Sequence, residues 1–256
     1  MRIGSGGRLA AIFAGFMALG AAALGVGYNH YLDFKPAGER YPVQGIDISH
    51  HQGAIDWDAL KRRHVRFVYM KASEGGDHVD TRFAGNWRAA RRAGIARGAY
   101  HFFTLCKPGL AQAHNFMRTV PVDSQAMPPA IDLEFGGNCK RRPEKAAVLR
   151  ELTAFLAAIE RRYDKKPILY VTRDFHDRYL TGALADYGFW IRRIYFRPDL
   201  PGRPWLFWQF HDRGSRAGIT GRVDLNVFHG DWDAFERWRK TGRWRPDAGP
   251  TPAGAG

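Results

Sequence analysis

Between residues 43 and 240, short apolar runs alternate with amphipathic stretches, and that alternation restricts the fold more than any other feature of the chain. Gln44–Ile48 precedes a helical pattern near residues 57–63, residues 67–71 precede 82–93, and residues 96–103 precede 108–120. Residues 130–134 lead into a long helical pattern in which Leu149, Leu152, Phe155, Leu156 and Ile159 share one face, opened by Pro143 at a first-turn position. Further strand candidates at 168–172, 189–194, 206–210 and 223–227 have shorter, less helical connections. Strands that alternate with helices build parallel sheets, and eight candidates are enough to close one into a barrel. The expectation is an α/β fold: a single TIM-like barrel, irregular in its last third. A chain of 256 residues has room for one such domain.

The flanks read differently. Arg2 and Arg8 precede an uncharged apolar run from about Leu9 to Tyr28, long enough to span a bilayer, while Ala21-Ala22-Ala23 offers small residues for signal cleavage. Residues 1–28 are therefore expected to be a signal peptide or a transmembrane anchor. Positive charge before the run places the following domain outside the cytoplasm. Residues 29–42 read as a linker, 43–240 as the barrel, and the Gly- and Pro-rich stretch 241–256 as a disordered tail. Export permits disulfides. Cys106 and Cys139 each follow a strand ending in polar residues, so a bridge between neighbouring loops is expected, with two free thiols as the alternative.

The chain carries 39 Lys and Arg against 25 Asp and Glu, a formal net charge of +14. Such an excess favours anionic partners. The basic residues are scattered and no nucleic-acid-binding motif accompanies them, so an anionic wall polymer or lipid surface is the expected partner, or else the charge is a solvated surface.

Reactive groups of a parallel barrel sit where its strands end. Here those ends offer Asp47, Glu74, Tyr100 and His101, then Asp132 and Glu134, then Tyr170, Trp190 and Arg192, Trp208 and Gln209, and lastly Asp224 and Asn226. Aromatic faces stack on sugar rings, and carboxylates and amides bind hydroxyls, so this mixture suits a carbohydrate groove. Taken singly, Tyr100 and Trp208 also read as core residues and His101 as a satisfied buried imidazole. Asp132 and Glu134 point to one side of their strand. Two carboxylates that close cannot both ionise freely, which leaves a protonated acid beside an anion, the pair that glycosidic cleavage needs. A metal-dependent hydrolase using His50, His51, His101, Asp132 and Glu134 is a weaker alternative, because adjacent His50 and His51 point to opposite faces of an extended segment. No metal or cofactor is expected.

In order along the chain, the segments GIDISHHQG (45–53), IDW (55–57), KASEG (71–75), GAYHF (98–102), DLE (132–134), WQF (208–210) and VDLN (223–226) resemble the lysozymes of glycoside hydrolase family 25, the Chalaropsis-type muramidases. The resemblance covers about residues 43–238. It implies a barrel of five βα units followed by three strands, and hydrolysis of the β-1,4 bond between N-acetylmuramic acid and N-acetylglucosamine in peptidoglycan glycan strands. By motif position Glu134 is the general acid. Asp132 is its partner, either as nucleophile or as the group that orients the substrate's 2-acetamido arm, and Asp47 and Asp224 match the remaining acidic positions. After Trp190 the family often has alanine and then, two positions later, tyrosine, where this chain has Ile191-Arg192-Arg193. Arg192 is thus a candidate for a muramyl or peptide carboxylate. A barrel that binds peptidoglycan without cleaving it is the competing reading.

Overall fold

The computed structural model describes residues 5–36, 38–200 and 202–244, the side chains of 5–12, 14 and 29–33 apart, and the chain divides into one unit through residue 35 and another from residue 36. The first unit is helix α1 (Ser5–Asp33), rich in strong helix formers, with Phe13, Phe16, Leu19 and Leu24 exposed. Among the described residues no helix is long and apolar enough to cross a membrane. The structure thus gives the expected signal or transmembrane segment a helical form and nothing more. The helix also runs into the stretch expected as a linker, and residues 245–256 of the expected tail lie outside the described residues.

The second unit contains β1 (Gln44–Ile48), a 3-10 turn (His50–Gln52), α2 (Trp57–Arg62), β2 (Phe67–Glu74), β3 (His78–Val79), α3 (Phe83–Arg92), β4 (Ala96–Phe102), α4 (Gly109–Thr119), β5 (Ala130–Leu133) and α5 (Lys145–Tyr163). There follow β6 (Ile168–Val171), α6 (Arg173–Phe175) widening into a π turn (His176–Leu180), β7 (Gly188–Arg192), β8 (Trp205–Gly214), β9 (Val223–Phe228) and α7 (Trp232–Thr241). The sheet runs β1-β9-β8-β7-β6-β5-β4-β2, and β1 pairs with β2, so these strands close into a barrel with β3 added on the outer side of β2. Within the barrel neighbours are parallel except β9, which runs antiparallel to both β1 and β8, and outside it β3 runs antiparallel to the end of β2. Reversal brings the beginning of β9, not its end, to the rim where the other strands finish.

Helix α7 was not anticipated from the sequence. It is nonetheless well signalled: the Asp231 side chain accepts from the Ala234 amide at its start, Phe235 and Trp238 are buried on one face, and Arg239 and Lys240 lie in its last turn. Thr241, read as the start of the tail, is its final residue. In α5 the buried face is Val148, Leu152, Phe155, Leu156 and Ile159, so Val148 takes the place expected of Leu149, and Pro143 precedes the helix instead of lying in its first turn.

The barrel interior is aromatic, and glycines make room for it. Phe67 meets Phe207 edge-on at 5.0 Å and Tyr69 meets Trp190 at 5.1 Å. Gly45 pairs with Phe67 and Gly98 with Tyr69 across neighbouring strands. A methyl at residue 98 would stand 2.3 Å from the Tyr69 ring, whose hydroxyl is held by a 2.8 Å bond to the Pro128 carbonyl. The ring has no freedom to move aside, so Gly98→Ala should destabilise the fold by about 1–3 kcal/mol through overpacking. Denaturant unfolding checks this, and an unchanged midpoint would contradict it.

Candidate active site

The rim where the parallel strands end opens into a cleft of about 740 Å³, which shares its central residues with a second lobe of about 320 Å³. Asp47, Tyr100, Asp132, Glu134 and Asp224 line both. The acids therefore stand where the two lobes meet. Their convergence has a local cause in each strand. Asp132 and Glu134 are two residues apart at the end of β5, and Asp47 on β1 is paired directly with Asp224 on β9.

Asp47 is locked by a chain of oriented amides. Its Oδ2 accepts from Asn226 Nδ2 at 2.7 Å and from Gln209 Nε2 at 3.1 Å. Trp190 Nε1 donates to Asn226 Oδ1 at 2.8 Å, and the Tyr170 hydroxyl donates to Gln209 Oε1 at 2.9 Å. An indole nitrogen can only donate, so Trp190 fixes which way the Asn226 amide faces, and the amide in turn presents its NH₂ to Asp47. Across the rim, Lys71 Nζ meets Glu74 Oε2 at 2.6 Å and Arg192 Nη2 meets Asp212 Oδ2 at 2.6 Å.

Burial raises the pKa of all four central carboxyls. For Asp132 the Glu134 and Asp47 charges add to burial and push it well above the ordinary range. Glu134 is also raised by burial, but the Arg192 guanidinium draws it back down. Asp224 is pushed up to about 10, by burial first and then by the charge of Asp47, to which it hydrogen-bonds. One proton on Asp224, donated to an Asp47 carboxylate, satisfies both. Asp132 Oδ1 is buried without a hydrogen-bond partner among the described residues. An orphaned acceptor in the floor of a cleft is a position kept for a ligand.

Comparison with known proteins decides the family. The sequence profile of the glycosyl hydrolases family 25 matches residues 46–219. The chain is 34% identical over 216 residues to the protein YegX of Escherichia coli O6:H1, covering 79% of this chain and 78% of that one. It is 34% identical over 201 residues to lysozyme M1 of Streptomyces globisporus, covering 73% and 68%. The structure superposes on a family 25 glycosyl hydrolase from Bacillus anthracis with a TM-score of 0.75 at 38% identity, covering 78% of this chain and 95% of the other. The chain belongs to glycosyl hydrolase family 25. It is a glycoside hydrolase with the barrel of that family.

The hydrolase brings most of the sequence-derived site residues to its cleft. Tyr170, Trp190, Arg192 and Gln209 line the larger lobe and Glu74 the smaller. Two do not belong there. His101 is fully buried on the outer side of β4, between Ser73 Oγ at 2.8 Å and Gln112 Oε1 at 3.2 Å, with its ring 4.9 Å from Phe155 of α5. Burial holds its pKa down at about 3. Trp208 turns outward as well, packs against Trp205 and Phe210, and donates Nε1 to the Arg193 carbonyl at 2.6 Å. Each follows or precedes a cleft residue by one position, and strand alternation sends it to the opposite face. His101 is thereby removed from the candidate metal ligands, and among the described residues no three or more His, Cys, Asp or Glu form a group that could hold a metal ion.

Reasoning from sequence missed Asp212, Thr172, Arg173 and Asp174. Asn226, one of the strand-end residues expected at the rim, stands two residues after Asp224 on the same strand face and meets Asp47 there. Asp212 had no such signal. Simple alternation from Gln209 puts it on the far face, but β8 carries irregularities between Gln209 and His211 and between His211 and Gly214 that shift the register. Beside the site, Cys106 and Cys139 form a disulfide that joins the loops after β4 and β5. Asn138 reinforces the joint: Nδ2 donates to the carbonyls of Phe103 at 2.9 Å and Glu134 at 3.0 Å.

The raised carboxyls have a consequence for stability. In the unfolded chain an aspartate titrates near about 3.9, whereas folded Asp132 holds its proton far more tightly. From that pH upward the unfolded state sheds a proton that the folded state retains, so stability falls as pH rises. Asp132→Asn abolishes this loss. The variant should melt above wild type at pH 7, with a smaller gain at pH 4. A lower melting temperature at pH 7 would contradict the assignment.

Proposed function

We propose that the cleft cleaves the β-1,4 bond between N-acetylmuramic acid and N-acetylglucosamine in peptidoglycan, as a lysozyme, with Glu134 as the general acid. The observation that carries this reading is the pair of raised carboxyls at the junction of two lobes, one of them with an oxygen left unpartnered. A glycan strand threaded through both lobes puts its scissile bond beside Asp132 and Glu134. Glu134 is the less deeply enclosed of the two, and burial raises its pKa, which favours the protonated form that a general acid needs. The two carboxyls carry one proton between them when the strand is bound, and with that proton on Glu134, Asp132 faces the sugar that develops oxocarbenium character as an anion. As Glu134 protonates the departing oxygen, the free oxygen of Asp132 either bonds the anomeric carbon or holds the 2-acetamido group as that group does so. Asp47, held by Asn226 and Gln209, adds fixed negative charge beneath the same sugar.

Such a substrate lies outside the cytoplasmic membrane. The reading therefore includes export, with Arg2, Arg8 and the apolar run of α1 acting as a cleaved signal or as an anchor.

The deciding experiment is mass spectrometry of fragments released from purified peptidoglycan by wild type and Glu134→Gln. Wild type should release fragments with N-acetylmuramic acid at the reducing end. The variant should fold, bind the polymer and turn over at least about a hundredfold more slowly. Intact glycan after treatment with wild type, with the protein retained on the wall, would replace the enzyme reading with a binding module. Near-normal turnover by the variant would remove Glu134 as the acid.

A further inference from the structure

We infer that Arg192 forms a carboxylate-binding subsite in the larger lobe, so that the hydrolase selects glycan strands whose muramyl side arm carries a free carboxylate. The inference rests on the glycan-cleaving reading and adds a chemical preference to it. The two lobes differ in charge. In the smaller, the Lys71 ammonium is neutralised by Glu74 at 2.6 Å and covered by the Phe102 ring at 5.1 Å. The larger contains two guanidiniums, Arg173 and Arg192.

Arg192 ends β7, next to Trp190 on the same face, and therefore reaches the cleft from the floor that holds the acids. Its side chain is 37% exposed. Asp212, brought to the same face by the irregularities of β8, engages a single nitrogen, Nη2, and holds that end of the guanidinium. Among the described residues the remaining N–H groups of Arg192 make no hydrogen bond. A guanidinium presents five donors in a flat fork that matches the two oxygens of a carboxylate. Held on one side and open on the other, the fork is arranged to receive an anion from the cleft. Arg173 stands at the same lobe with its charge shared between Asp177 at 3.4 Å and Asp199 at 3.3 Å, so it supplies a weaker second attraction nearer the surface.

Peptidoglycan offers this carboxylate from two sources. One is the lactyl group of N-acetylmuramic acid when the stem peptide has been removed, and the other is an acidic residue of the stem when it is present. Arg192 lies within electrostatic reach of Glu134 and draws its proton affinity down. Neutralisation of Arg192 by a bound carboxylate would lift that effect and leave the acid better protonated as the correct substrate binds. Recognition and acidity are thus coupled through one side chain.

The test uses the full-length protein and four glycan preparations: peptide-free strands, peptide-bearing strands, and each of these after its carboxylates have been converted to methylamides. For wild type, kcat/KM should fall about 10- to 100-fold on amidation of the strands that supply the carboxylate. Arg192→Gln should lose the same factor on the anionic strands, chiefly through KM, and less than about threefold on the amidated ones, with a circular dichroism spectrum and melting temperature matching wild type as the check that it folds. Loss confined to peptide-free strands assigns the lactyl carboxylate, and loss confined to peptide-bearing strands assigns the stem. Equal losses on all four preparations would overturn the subsite while leaving glycan cleavage in place. Absence of cleavage by wild type on every preparation would instead remove the underlying reading.

Discussion

The carboxylate of Asp47 is the point on which the active end of this barrel depends. It is buried, and it accepts from Gln209 on β8 and Asn226 on β9 while lying against Asp224. Those contacts cross the seam where the last strands meet the first. A buried anion without partners costs several kcal/mol, so the donors that satisfy it also fix the relative positions of β1, β8 and β9. Tyr170 and Trp190 extend the same network to β6 and β7. One charge thus sets the orientation of two amides and two aromatic rings that a sugar would meet.

Acid chemistry in this cleft follows from a shortage of compensating charge. Four carboxyls converge, and the cations facing them, Lys71 and Arg192, each have an acidic partner of their own. Protons are retained in place of counter-ions. The arrangement is unfavourable to the fold at neutral pH, and the surrounding structure offsets that cost with close aromatic packing beneath the site and a disulfide beside it. The disulfide joins residues 33 apart in sequence, a loop whose closure in the unfolded chain is worth about 3–4 kcal/mol.

Charge also distinguishes the two ends of the groove. The lobe with Lys71 is internally neutralised, whereas Arg192 retains open donors on the other side of the acids. A strand of alternating sugars with acidic side arms would meet these lobes differently, which gives the groove a direction that its carboxylates alone do not.

The extent to which all this was legible in the sequence varies by element. Period-two alternation put Asp132 and Glu134 together, because a strand ending has no other way to place residues two apart. The same rule, applied residue by residue, also places His101 and Trp208 on the outer surface, where helices and neighbouring indoles cover them. Reading every polar or aromatic residue at a strand end as a cleft residue ignored that parity. Local pattern therefore determined the βα succession, the acidic pair and the family motifs, all of which depend on neighbours in the chain. Tertiary structure alone decided that β9 runs backward and so delivers Asp224 to the rim, that irregularities in β8 turn Asp212 toward Arg192, and that Asn226 and Gln209 meet on one oxygen of Asp47. Those outcomes depend on how distant strands pair when the barrel closes, and strand direction and register across a closing seam are set by packing between segments that the sequence keeps far apart.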